Sequence, residues 1–146
     1  MYNVSRNAAL TAYREMSVQG GVDEANPYRL IQMLMEGALD RIYQAQGCLE
    51  RGEVGPKGEQ IGRAVNIIDS LRAMLDHSHN PELSERLEQL YDYMCRRLTE
   101  ANLYNDMEKL DEVAGLMREV KAGWDAIPDE AVQEAASHKQ APAAVE

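Results

Sequence analysis

Three histidines, two cysteines and 25 carboxylates are the residues of this 146-residue chain that could do chemistry. A carboxylate-bridged di-metal centre in a helical protein needs Glu-x-x-His on two helices, so that both ligands share a face. No Glu here is followed by His three positions later. His77 and His79 stand two apart, a spacing that sends them to different sides of a helix, and His138 lies near the far end. Cys48 and Cys95 fall inside helical patterns without metal-ligand spacing and read as buried, reduced thiols. Nucleophilic catalysis fares no better, because no Ser or Cys sits in a glycine-framed turn with an evident base. There is no glycine-rich phosphate loop. The acids alternate with Lys and Arg, as on solvated helix faces. No enzyme, metal site or cofactor is expected.

What remains is apolar and aromatic surface. Leu83, Leu87, Leu90, Met94, Leu98 and Ala101 recur every three or four positions, as on one helix face. Tyr91, Tyr93 and Cys95 lie off that stripe, flanked by Arg96 and Arg97. A helix with more apolar surface than one seam needs either sits deep in a bundle or offers a second face to a partner. Eight methionines suit ordinary packing, and equally a surface that must adapt to a bound chain. Tyr13, Tyr91 and Tyr93 combine an apolar body with a polar tip, a type enriched at binding hot spots. The residues alone describe a helical binding module.

The elements that position these residues follow from composition and punctuation. Phe is absent and there is one Trp, so the core must be built from Leu, Ile, Val, Met and Ala, a mixture that favours helices. The length predicts one domain. A net charge of -10 argues against nucleic acid and against an anionic membrane surface. No apolar run approaches the roughly 20 residues that span a bilayer. Met1 to Met16 lacks a basic start followed by an apolar run, so a cytoplasmic protein is expected.

Residues 1–26 read as an arm with a short helix at Ala8 to Met16, released by Gly20-Gly21. Residues 27–128 read as four helices. Asn26-Pro27 and Asn80-Pro81 each pair an N-cap residue with a first-turn proline and start the first and third. Gly52, Gly55 and Pro56 are expected to end the first helix and turn the chain. The second should cover about 57–77, with Ile61, Ala64, Val65, Ile68, Leu71 and Leu75 on one stripe and Ile67 and Met74 widening it. The fourth begins near Asn105-Asp106 and carries a narrow seam of Leu110, Val113, Met117, Val120, Trp124 and Ile127. Residues 129–146, rich in Ala with almost no large apolar side chain, read as a disordered tail. Short loops predict an all-α, antiparallel up-and-down four-helix bundle.

Leu90-Tyr91-Asp92-Tyr93-Met94, with Arg96-Arg97-Leu98 and Ala101-Asn102, resembles the signature of the flagellin-specific export chaperones, FliS. Ala12-Tyr13 with Ser17-Val18, Asn26-Pro27 before Leu30-Ile31-x-Met33-Leu34, and Glu36-Gly37-Ala38-Leu39 agree in order and spacing. So do Ala64-Val65-Asn66-Ile67-Ile68, Leu71 with Leu75-Asp76, and Glu112-Val113 with Leu116 and Trp124. Two places depart from the pattern. Met35-Glu36 stands where the family often has an aromatic and Asp, which could alter groove shape. His77-Ser78-His79-Asn80-Pro81 replaces a Gly-rich turn.

The resemblance implies a small antiparallel helical bundle that holds the disordered C-terminal segment of flagellin along apolar grooves. It thereby blocks premature polymerisation in the cytoplasm and keeps subunits ready for the flagellar export apparatus. Some members also engage the anti-sigma factor of the flagellar regulon. The implied flagellin-binding residues are Leu10 and Tyr13 in the arm, with Ile67, Leu71 and Met74 on the second helix. Tyr91, Met94, Arg97 and Asn102 on the third complete the set. An export chaperone of this kind should be a monomer or weak homodimer and form a one-to-one complex, whereas a self-assembling bundle would dimerise tightly.

Overall fold

A computed structural model of the chain describes residues 26–127, which fold as four helices with no strand among the described residues. They are α1 (Pro27–Glu50), α2 (Val54–Ala73), α3 (Pro81–Tyr104) and α4 (Met107–Asp125). The predicted arm helix and tail lie outside the described residues. Short connections make successive helices antiparallel, and α4 closes the bundle by packing back on α1.

The helix starts follow their capping chemistry. Asn26 Oδ1 accepts from the Arg29 amide at 3.2 Å, and Asn80 Oδ1 accepts from the Leu83 amide at 3.2 Å. Asp106 does the same for α4, accepting from the amides of Glu108 and Lys109. Asn105 ends α3 in the left-handed region at φ 51°, a conformation that Asn tolerates.

The second helix departs from the sequence reading at both ends. The turn is made by Arg51 to Glu53, with Gly52 at φ 74°, and Gly55-Pro56 belong to the first turn of α2. Proline is accepted there because first-turn amides have no partner inside the helix. At the other end α2 stops at Ala73, and Met74 is its C-cap residue. Asp76 holds the following loop, its carboxylate taking the Ser78 amide and its carbonyl taking the Ser84 hydroxyl.

The core stripe of α3 also differs. The fully buried positions are Ser84, Tyr91, Met94, Leu98 and Ala101, so Tyr91 belongs to the core face rather than to a second one. Positions 84, 87, 91, 94, 98 and 101 alternate by three and four, the better helical seam. Ser84, a polar residue in an apolar slot, hides that register and moves the apparent stripe onto Leu83 and Leu90. Those two lie on its flank, Leu83 being 51% exposed and Leu90 half-buried. Leu34, Ile42, Ile61, Ile68, Met94, Leu98, Leu110 and Met117 fill the centre.

One end of the bundle is closed by a charge. Lys57 is 2% exposed, and its Nζ donates to the carbonyl of Asn102 at 2.8 Å and to the Asn105 side chain. The ammonium thus serves carbonyl groups at the C-terminus of α3 that have no helical partner. The opposite end is open.

Candidate functional site

At that open end the seams of all four helices run past the packed core and leave an apolar groove of about 380 Å³. Ile31 and Met35 of α1 and Leu71 on α2, with Met74 and Leu75 just beyond it, form one side. Leu83, Leu87 and Tyr91 of α3 and Val120, Gly123 and Trp124 of α4, with Ile127 beyond it, form the other. The antiparallel order brings these together, because the N-terminal turns of α1 and α3 share an end with the C-terminal turns of α2 and α4. Asn26 and Ile127, the first and last described residues, therefore both stand at the groove end of the bundle.

Three of the predicted binding residues, Leu71, Met74 and Tyr91, line this groove. Ile67 and Met94 are buried in the core below it. Arg97 lies elsewhere, on the seam between α3 and α4, where its Nε donates to Glu112 at 2.7 Å. Asn102 is exposed at the far end, beside the Lys57 lock. Leu10 and Tyr13 lie outside the described residues. Met35, the departure from the family pattern, is a groove residue, 2% exposed.

Sequence reasoning missed the contribution of α4. Val120, Trp124 and Ile127 were read as a continuation of its core seam, and the register was right. Their neighbours are not. Beyond Met117 the opposing helix ends no longer cover them, so Val120 and Trp124 are half-buried and Ile127 is 37% exposed. A seam extending past the mutual overlap of its neighbours is the signal that could have found them.

Two polar side chains in the groove have no hydrogen bond among the described residues: the Tyr91 hydroxyl and the Glu119 carboxylate. Burial pushes the Tyr91 phenol up to about 12, so it stays neutral. Trp124 is committed to α1, donating from Nε1 to the Tyr28 carbonyl at 3.2 Å. Outside the groove, Arg72 is shared by Asp69, Glu88 and Asp92 at 3.6 to 3.9 Å across the α2–α3 seam. Tyr93 donates to Glu112 at 2.6 Å beside Arg97, and these hydrogen bonds, Tyr93 first, hold the Glu112 carboxyl below its ordinary range.

Among the described residues the remaining reactive types do not form a centre. His77, Glu85 and Glu88 present ligand atoms within 4.8 Å of one another, but Arg72 also reaches Glu88, at 3.7 Å. That is a surface ion-pair cluster. Burial, then the nearby Asp69, drives the Cys95 thiol up to about 12, an unreactive state. No described helix is long and apolar enough to cross a membrane.

The family described as flagellar protein FliS matches residues 9–131. Similar proteins include the flagellar secretion chaperone FliSB of Pseudomonas aeruginosa, 49% identical over 119 residues, which are 82% of this chain and 94% of that one. The flagellar secretion chaperone FliS of Salmonella typhimurium is 42% identical over 132 residues, 90% of this chain and 96% of its own. That of Vibrio cholerae is 40% identical over 122 residues, covering 84% and 90%. A four-helix bundle with an open apolar end and no assembled catalytic centre among its described residues, matched over most of its length by these relatives, belongs to the FliS family of flagellar secretion chaperones.

Proposed function

We propose that the chain is a cytoplasmic export chaperone for flagellin, whose disordered C-terminal segment it holds with the groove as principal anchor. The observation that carries this reading is the groove itself. Four helices contribute large apolar side chains to a concave surface, the form that an amphipathic or extended segment can fill. A segment that folds on contact needs a long interface, roughly 1,000–3,000 Å² of surface, to offset an ordering cost of about 2–5 kcal/mol. The groove supplies only part of that area. Candidate residues elsewhere, Arg97 on the α3–α4 seam and Asn102 at the far end, would extend the path.

The arm has a place in the same scheme. Because residues 1–25 join α1 beside the groove, Leu10 and Tyr13 can cover it in the free protein and move aside when flagellin arrives, with Gly20-Gly21 as the tether. Calorimetric titration with the C-terminal segment of the same organism's flagellin, wild type beside Tyr13→Ala, tests the reading. One-to-one binding altered by the substitution supports both parts. Binding indifferent to it removes the arm, and absence of binding by the folded protein overturns the function. Equal hydrogen-exchange protection of the arm with and without flagellin would refute the gating.

A further inference from the structure

We propose that Glu119 selects, within the groove, a client segment that carries a lysine or arginine beside its apolar anchors. This rests on the reading that the groove holds the client, and it adds the chemistry of that client.

Glu119 is the one ionisable carboxylate among the groove-lining residues. Its neighbours on α4 are all committed elsewhere. Arg118 donates to the Tyr43 hydroxyl at 2.8 Å, and Lys121 pairs with Asp125 and Glu36. Glu112 occupies the same face two turns earlier and is met by Tyr93 and Arg97 of α3. Continuing that antiparallel register by seven residues in each helix sets Arg86 and Leu90 opposite Glu119. Arg86 is already paired with Glu82 at 2.8 Å, and Leu90 offers no charge. Glu119 therefore repeats the position of an interhelical ion pair while lacking the partner, among the described residues.

The field on the other side of the groove has the same sign. Arg72 follows Leu71 and is reached by Asp69, Glu88 and Asp92, and Arg96 pairs with Asp92 at 3.0 Å, so three carboxylates there meet two guanidinium groups. Two of them, Glu88 and Asp92, directly follow the groove residues Leu87 and Tyr91 in α3. A cation bound at Glu119 is favoured by both sides, at the scale of an exposed ion pair because Glu119 is itself exposed. An acidic segment of equal hydrophobicity is repelled, which makes the carboxylate a discriminator as well as an anchor.

The test is a calorimetric titration of the full chain with the same flagellin C-terminal segment. It compares wild type, Glu119→Gln and Glu119→Lys, with Glu50→Lys as a control for net charge. Glu50 is exposed near the far end of α1. Exposed ion pairs set the scale, so Glu119→Gln should bind about two- to threefold more weakly. The charge reversal should cost about tenfold, with the control within about 1.5-fold of wild type. Wild-type affinity should fall as salt rises from about 0.05 to about 0.5 M, where screening reaches within a few ångströms. Variants that bind like wild type, a control that weakens as much as Glu119→Lys, or affinity that rises with salt would overturn the proposal and leave the chaperone reading standing. No binding by wild type would remove both.

Discussion

The Nε1 of Trp124 donates to the carbonyl of Tyr28 at 3.2 Å, and the Tyr28 hydroxyl donates back to the carbonyl of Trp124 at 3.2 Å. Their rings stack with centroids 5.3 Å apart. This reciprocal clasp ties the first turn of α1 to the last turn of α4 and fixes one wall of the groove. Tyr28→Phe keeps the stack and removes a hydroxyl that donates to the Trp124 and Asp125 carbonyls and accepts from Gln32, so it should cost about 0.5–1.5 kcal/mol in a urea unfolding experiment. An unchanged midpoint would mean that the stack and the Trp124 Nε1 hydrogen bond hold the helices without the hydroxyl.

Lys57 does comparable work at the closed end. Lys57→Met preserves length and apolar packing but leaves the Asn102 carbonyl without its donor. The loss should be about 1–3 kcal/mol, reduced by whatever desolvation the buried ammonium itself costs. A variant as stable as wild type would show that the two terms cancel and that the lock adds no net stability.

Acid should loosen the α3–α4 seam. The Glu112 carboxyl is held below its ordinary range by the hydrogen bond from Tyr93 and then by that from Arg97. The Asp125 carboxyl is lowered in the same way, first by Lys121. A carboxyl lowered in the folded state stabilises the fold fully above its unfolded value, about 4 for these residues, and that contribution disappears as pH falls through the folded value. Urea midpoints should therefore be level near neutrality and fall below about pH 4. Glu112→Gln should start lower at neutral pH and fall less steeply in acid. Parallel curves for the two proteins would contradict this.

Tyr91 should separate stability from binding. Its hydroxyl is buried and has no partner among the described residues, so Tyr91→Phe should leave the free protein as stable as wild type or raise its unfolding midpoint. A client that brings a partner for that hydroxyl would bind the variant about three- to tenfold more weakly, as expected for one hydrogen bond in a protected site. Loss of stability with unchanged affinity would assign the hydroxyl to the fold instead.

The bundle was legible because its punctuation is chemical: Asn26-Pro27 and Asn80-Pro81 cap helices in the sequence as they do in space. Gly55-Pro56 misled because a proline that can stop a helix can also occupy the first turn of the next. The groove was only half legible. Leu71, Met74 and Tyr91, named as groove candidates, line it, yet Ile67 and Met94, similar in type and spacing, face the core. Period identifies a face, but not where along it the neighbouring helices cease to overlap. That geometry made groove residues of Val120 and Trp124. Glu119 gave no signal of its own: an acid on a helix reads as solvated surface, and it is exposed in the structure, its place beside the groove following from the same geometry.

If the open end of the bundle holds the flagellin C-terminal segment, Leu83 is in contact with it. Leu83 lines the groove and is 51% exposed, so Leu83→Asp places a charge in the site without disturbing the core. Calorimetric titration of wild type and this variant with the segment should show one-to-one binding, weakened at least about tenfold by the substitution while the fold is retained. Equal affinity for the two proteins, or no binding by wild type, would mean that the open end does not hold the segment.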